Sequence, residues 1–156
     1  MREAIFSMIG QDLRGYAFLD AFGGSGIMGL EASSRGADPV VITEKNPRSY
    51  RAIVATVKEI SSEISVRSQD AYKAITQRKW DIIFLDPPYS FDIQPYLQAS
   101  FLQSEYLVIA EIESKTDFSL GEGWQLRKER VYGNSKLIIF ERDPEIRHSV
   151  SSGDNP

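Results

Sequence analysis

Trp80-Asp81-Ile82-Ile83-Phe84-Leu85-Asp86-Pro87-Pro88-Tyr89 is the stretch on which the reading of this chain turns. Its first six residues are apolar apart from Asp81, without polar alternation, as expected of a strand buried on both faces of a parallel sheet. An acid, two prolines and an aromatic then stand where that strand ends. In open α/β sheets this carboxyl edge is where ligands bind. The chemistry that fits is a planar amino group. The Asp86 carboxylate and a backbone carbonyl can accept its two hydrogens while Tyr89 stacks on the ring that bears it. Pro87 and Pro88 fix φ and hold that geometry in advance. Such a turn can prepare the exocyclic nitrogen of a base for alkylation.

Outward from this strand, the pattern alternates strand and helix, which implies a parallel sheet covered on both faces. Ahead of it lie a helix over Met1–Ile9, with Ala4, Ile5, Met8 and Ile9 at helical spacing, and a first strand over Tyr16–Asp20. A tight turn, Gly23-Gly24-Ser25-Gly26, opens a helix over Ile27–Arg35 that offers Ile27, Leu30 and Ala32 for burial and stops at Gly36. Val40–Glu44 is the second strand, a helix runs from Pro47 to Ile60, Ile64–Arg67 is a short third strand, and Asp70–Gln77 a short helix. Beyond the Trp80–Asp86 strand come a helix over Ile93–Leu102 and a strand over Tyr106–Glu111. Trp124–Val131 and Lys136–Arg142, joined by Tyr132-Gly133-Asn134-Ser135, read as an antiparallel hairpin. The expected fold is α/β, a mostly parallel seven-stranded sheet ending in that hairpin with helices on both faces. One domain spans 1–142, and 143–156 reads as a disordered tail.

Composition bounds the function. The 156 residues, 42% hydrophobic and 26% charged, suit one ordinary globular domain. Neither a membrane-spanning apolar run nor a signal peptide is visible, so the cytoplasm is the expected compartment and a membrane partner is not expected. Cysteine is absent and His148 is the lone histidine, which excludes disulfides and thiolate metal sites. A net charge of −4 argues against extensive nonspecific nucleic-acid binding. Arg127, Lys128, Arg130, Lys136 and Arg142, and Arg48 and Arg51 on a helix, read either as solvated faces or as a local basic surface.

The remaining candidates sit on neighbouring strand ends. Gly24, Gly26 and Gly29 satisfy G-x-G-x-x-G, a dinucleotide signature that is weak alone. Asp20, just before the turn, would crowd a pyrophosphate. It suits a cationic or amine-bearing ligand such as the amino-acid part of S-adenosylmethionine. Glu44 can accept both hydroxyls of a ribose. Asp70 can accept an adenine amino group, cap the following helix, or do both. Asp20, Glu44, Asp70 and Asp86 together leave a divalent-metal site as an alternative, although no D-x-D spacing supports it.

The chain resembles S-adenosylmethionine-dependent methyltransferases of nucleobase amino groups, and among them the bacterial 16S (small-subunit) ribosomal RNA guanine-N2 methyltransferase family (RsmD-like). The resemblance is carried by Arg2-Glu3-Ala4-Ile5-Phe6, by LDAFGGSGIMGLEASSRGA from Leu19 to Ala37, by Glu44, by Phe84–Tyr89, and by Tyr132-Gly133-Asn134-Ser135. It implies a Rossmann-like class I methyltransferase fold. It implies S-adenosylmethionine at Asp20, Gly24, Gly26, Glu44 and Asp70, catalysis at Asp86, Pro87, Pro88 and Tyr89, and ribosomal RNA or the small-subunit particle as partner. Members usually have Ala where Gly23 stands, and usually carry a further segment ahead of Arg-Glu-Ala with an Arg-Pro-Thr element. The resemblance therefore leads one to expect part of the cofactor and substrate side from outside this sequence. Adenine-N6 methylation of DNA, an NAD-dependent oxidoreductase and a non-catalytic RNA-binding module are the competing readings.

Overall fold

The computed structural model describes residues 2–60 and 63–144. The expected tail, apart from Asp143 and Pro144, and His148 lie outside the described residues. The elements in chain order are α1 (Arg2–Ile9), β1 (Phe18–Asp20), α2 (Ile27–Ser34), β2 (Val40–Thr43), α3 (Pro47–Ile60), β3 (Ser65–Arg67), α4 (Ala71–Thr76), β4 (Trp80–Leu85), α5 (Gln94–Gln103), β5 (Ser104–Glu113), β6 (Trp124–Tyr132) and β7 (Ser135–Arg142).

They build one seven-stranded sheet in the order β3-β2-β1-β4-β5-β7-β6. The first five strands in that order are parallel, and β7 enters antiparallel between β5 and β6. The central strands β1, β2 and β4 are buried almost throughout, because helices cover both faces. Successive residues feed opposite cores. Leu19 and Ile83 pack with Trp80, Leu97, Phe101 and Phe140 on the α4–α5 side. Phe18, Ile82 and Phe84 pack with Ile5, Phe6, Ile42 and Ile53 on the α1–α3 side. Both indoles pin a helix to the sheet: Trp80 donates to the Ala74 and Ile75 carbonyls at 3.3 Å, and Trp124 to the Phe101 carbonyl at 2.9 Å.

One expectation about packing is corrected. The buried face of α2 is Gly29 and Ala32, and Ile27 is 44% exposed. A Cβ at position 29 would collide with Ile42, so the missing side chain lets the helix lie directly on β2 and turns Ile27 outward. On α1 the buried stripe is Ile5, Phe6 and Ile9, with Ala4 and Met8 at its margin.

Candidate functional site

The carboxyl ends of the strands are shaped by bonds between neighbouring turns. The Ala21 amide donates to the Phe84 carbonyl at 3.1 Å, the Gly23 amide to the Thr43 carbonyl at 2.7 Å, and the Thr43 hydroxyl to the Ala21 carbonyl at 2.8 Å. These tie the turn after β1 to β4 and β2. Gly26, at φ +81°, then reverses the chain into α2. Above the strand ends lie two adjoining chambers. The larger, about 580 Å³, is lined by Gly24, Glu44, Asp86, Pro87, Pro88, Tyr89, Glu111 and Glu113 among others. The smaller, about 390 Å³, is lined by Glu44, Asp70, Phe91 and Tyr96 among others. Phe22, Glu44, Asn46, Pro88 and Phe91 line both.

The structure thus brings Gly24, Glu44, Asp70, Asp86, Pro87, Pro88 and Tyr89 to one cleft. Glu44 is oriented by two backbone donors, Gly24 N–H to Oε1 and Asn46 N–H to Oε2, each at 2.8 Å. Each carboxylate oxygen keeps a lone pair that a ribose hydroxyl could use. Asp70 caps α4 by accepting the Tyr72 amide at 3.1 Å through Oδ2 and also faces the smaller chamber. Capping and ligand contact are therefore geometrically compatible. Tyr89 is 73% exposed at the mouth, with its ring free to meet a planar partner.

Asp20 and Gly26 lie behind the cavity wall instead of lining it. Asp20 is 1% exposed; its Oδ2 accepts the Gly29 amide at 3.3 Å, and Oδ1 has no hydrogen-bond partner among the described residues. Burial, followed by the negative charge of Asp86 and Glu44, pushes its carboxyl up to about 8 against the opposing pull of the Gly29 amide. Asp86 is pushed up to about 6, by burial first and then by Glu111. Burial also raises Glu111. Carboxylates from β1, β2, β4 and β5 thus crowd one pole, an arrangement that favours a cationic ligand. Among the described residues no group of three or more metal-ligating side chains converges on one point.

Sequence reasoning missed several residues here. Phe22, Phe91 and Tyr96 form an aromatic wall, with ring centroids 4.9–5.6 Å apart. They come from three separate segments, so no local pattern announces them. Glu111 and Glu113 were more legible: β5 runs two residues past its expected end, and an E-x-E alternation closes it on one face. Glu113 does something specific. Its Oε1 accepts the amide of Ser90 at 2.6 Å, and Ser90 is a non-glycine residue held at positive φ, +62°. This bond anchors the loop directly after Tyr89 to the sheet.

The cleft fits S-adenosylmethionine in donor chemistry: acids for a sulfonium and an ammonium, Glu44 for a ribose, and an aromatic wall beside Asp70 for an adenine.

Residues 1–141 match the family described as "Conserved hypothetical protein 95". The chain is 28% identical over 153 residues to "Ribosomal RNA small subunit methyltransferase D" of Haemophilus influenzae, covering 90% of this chain and 79% of that protein. Over 85 residues it is 35% identical to "tRNA (guanine(26)-N(2))-dimethyltransferase" of Thermoplasma acidophilum, covering 54% of this chain and 24% of that one. A solved structure of a conserved hypothetical protein from Streptococcus pyogenes superposes with a TM-score of 0.81 at 31% identity, covering 91% of this chain and 95% of the other. The fold is that of the Rossmann-like class I methyltransferases.

Proposed function

The chain belongs to the family described as conserved hypothetical protein 95, the RsmD-like family, and we propose that it methylates the N2 amino group of a guanine in small-subunit ribosomal RNA, with S-adenosylmethionine as donor. The observation that carries the reading is the position of Asp86-Pro87-Pro88-Tyr89 on the wall of the larger chamber, beside a second chamber it shares through Pro88. The H. influenzae relative is named for small-subunit ribosomal RNA, which supports the RNA class. The T. acidophilum relative is named for the same guanine nitrogen.

S-adenosylmethionine, when bound, supplies an electrophilic sulfonium methyl. Glu44 would hold its ribose, Asp70 the adenine amino group, and Phe22, Phe91 and Tyr96 the adenine faces. The Gly24 turn would border the methionine part, with Asp20 acting from behind it. An unpaired or flipped guanine enters the larger chamber and stacks on Tyr89. The Asp86 carboxylate and the Pro87 carbonyl accept its two amino hydrogens, which turns the nitrogen lone pair out of conjugation. Asp86 takes the proton that the amino nitrogen must lose. Because its carboxyl is already pushed up to about 6, it is ionised at neutral pH and still basic enough for that transfer. Positioning and oriented acceptors supply the acceleration, without a covalent enzyme intermediate.

The test is methyl transfer from labelled cofactor to small-subunit particles, naked ribosomal RNA and duplex DNA, with cofactor binding measured separately by calorimetry. Asp86→Ala is expected to lose transfer at least 100-fold, the scale of one lost general base, while cofactor affinity stays within a few-fold. Wild-type turnover by that variant would sink the assignment. Preferential labelling of adenine in DNA would move the chain to the adenine-N6 class.

A further inference from the structure

The methyl-transfer reading leaves the outer edge of the sheet unused. β6 is the edge strand on the hairpin side, and every residue from Gln125 to Tyr132 is exposed. Its register sets Lys128 opposite Ile139, Arg130 opposite Leu137 and Tyr132 opposite Ser135. Opposed residues share a face, so these three side chains form one row. The Arg130 guanidinium reaches the Tyr132 hydroxyl at 3.4 Å along it. Ser135 lines the larger chamber, so the row climbs from mid-strand to the cavity rim.

The charges along this hairpin divide into two kinds. Arg127 is held by Glu141 at 2.9 Å, Arg142 by Glu105 at 3.1 Å, and Lys136 by Glu129 at 3.9 Å. Among the described residues no carboxylate pairs with Lys128 or Arg130. In a chain with more acids than bases, two adjacent exposed cations left unneutralised on one face are available for an external anion. Alternate strand residues lie ~6.8 Å apart, comparable with the step between successive phosphates of an extended strand.

We propose that Lys128 and Arg130 form a rail for the sugar-phosphate backbone of a single-stranded polynucleotide, with Tyr132 stacking on a base at the rim. The rail delivers the next base toward Tyr89. The occupant is single-stranded because the row is one side chain wide and ends in two exposed rings, Tyr132 and Tyr89, which can stack only on unpaired bases. The assignment rests on the nucleic-acid reading above and adds to it a surface and a direction of approach. It also reconciles a net charge of −4 with a polyanionic substrate, because contact is confined to a few phosphates.

The experiment is fluorescence anisotropy of an unstructured RNA oligonucleotide against the full chain across a salt series. It compares wild type, Lys128→Ala/Arg130→Ala, and the charge-matched control Arg51→Ala/Lys58→Ala on α3. Losing two phosphate contacts should lower the slope of log K against log salt by about 1.4, which is ~25-fold in affinity at 0.1 M relative to 1 M salt. KM for RNA should rise, while kcat at saturating RNA, cofactor affinity and melting temperature stay as in wild type. An unchanged slope and KM in an active rail variant would refute the rail and leave methyl transfer to RNA standing. An equal fall of slope in the α3 control would refute it too, as a mere net-charge effect. Duplex RNA competing as well as the single strand would refute the single-strand occupant. Rail variants that lose RNA binding, in a wild type that methylates no RNA, would support the rail and remove the methyl-transfer reading.

Discussion

Glu113→Ala tests whether the geometry after Asp86-Pro87-Pro88-Tyr89 is held from β5. The Ser90 amide donates to a carboxylate at 2.6 Å, and a hydrogen bond to a charged acceptor contributes about 1.5–3 kcal/mol. Ser90 sits at φ +62°, where a non-glycine residue carries roughly 1–2 kcal/mol of steric cost. Without Glu113 that cost is no longer offset, and the loop relaxes toward ordinary backbone, taking Tyr89 with it. A loss of 1.5–3 kcal/mol in the competent arrangement corresponds to about 10- to 150-fold in kcat/KM, at about 1.4 kcal/mol per decade. Ser90→Gly in the Glu113→Ala background removes the Cβ cost and should recover about 5-fold. Glu113→Gln keeps a neutral acceptor and should fall between the two. The assays are methyl transfer with labelled cofactor and amide exchange at Ser90, the second independent of activity. Wild-type kcat/KM and unchanged Ser90 protection in Glu113→Ala would refute the reasoning.

Two further outcomes follow from the buried groups. Asp20 binds its proton more tightly in the folded chain, at about 8, than in the unfolded one. Its contribution is thus fully present below the unfolded carboxylate range and is lost as pH rises toward 8, by an amount on the order of several kcal/mol. Asp20→Asn should flatten the fall of melting temperature between pH 5 and 8, and an unchanged slope would show that Asp20 is not protonated in the native state. Trp124→Phe keeps most of the ring packing against Phe101 but strips the donor from the Phe101 carbonyl. It should cost about 1–3 kcal/mol in a urea titration without change in the denaturant slope, and a neutral result would mean that water reaches that carbonyl.

The strands at the centre of the sheet were legible because they are covered on both sides. Val40–Thr43 and Trp80–Leu85 are apolar runs for that reason, and α3 begins and ends where Pro47 and its apolar spacing place it. β5 was read short at its end because Ile112 and Glu113 are stabilised by pairing with Lys136 and Ser135 of β7. That contact is made by residues far along the chain, and local propensity does not contain it. The same limit hid the aromatic wall of the cleft, whereas Glu44 and Asp86 were readable because each directly follows a strand, and Asp70 because it opens a helix.

Asp20 sits two residues of register below Glu44 and Asp86, level with Ile42 and Phe84. Glu44 and Asp86 each follow the last residue of their strand, while Asp20 is itself the last residue of β1 and pairs with Ile42 and Phe84. Depth along the strand then decides its surroundings, since parity is the same for all three acids. Asp20 shares the face of Phe18, the α1–α3 side, and the close approach of α2 through Gly29 seals that face. A carboxylate at the same topological edge therefore points under the helix instead of into the cleft. Its carboxyl, pushed up to about 8 by that burial, sits behind the wall, whereas Glu44 and Asp86 line the cleft. A strand-end acid in such a sheet is a ligand candidate only once its depth below the rim is counted against the helix that follows.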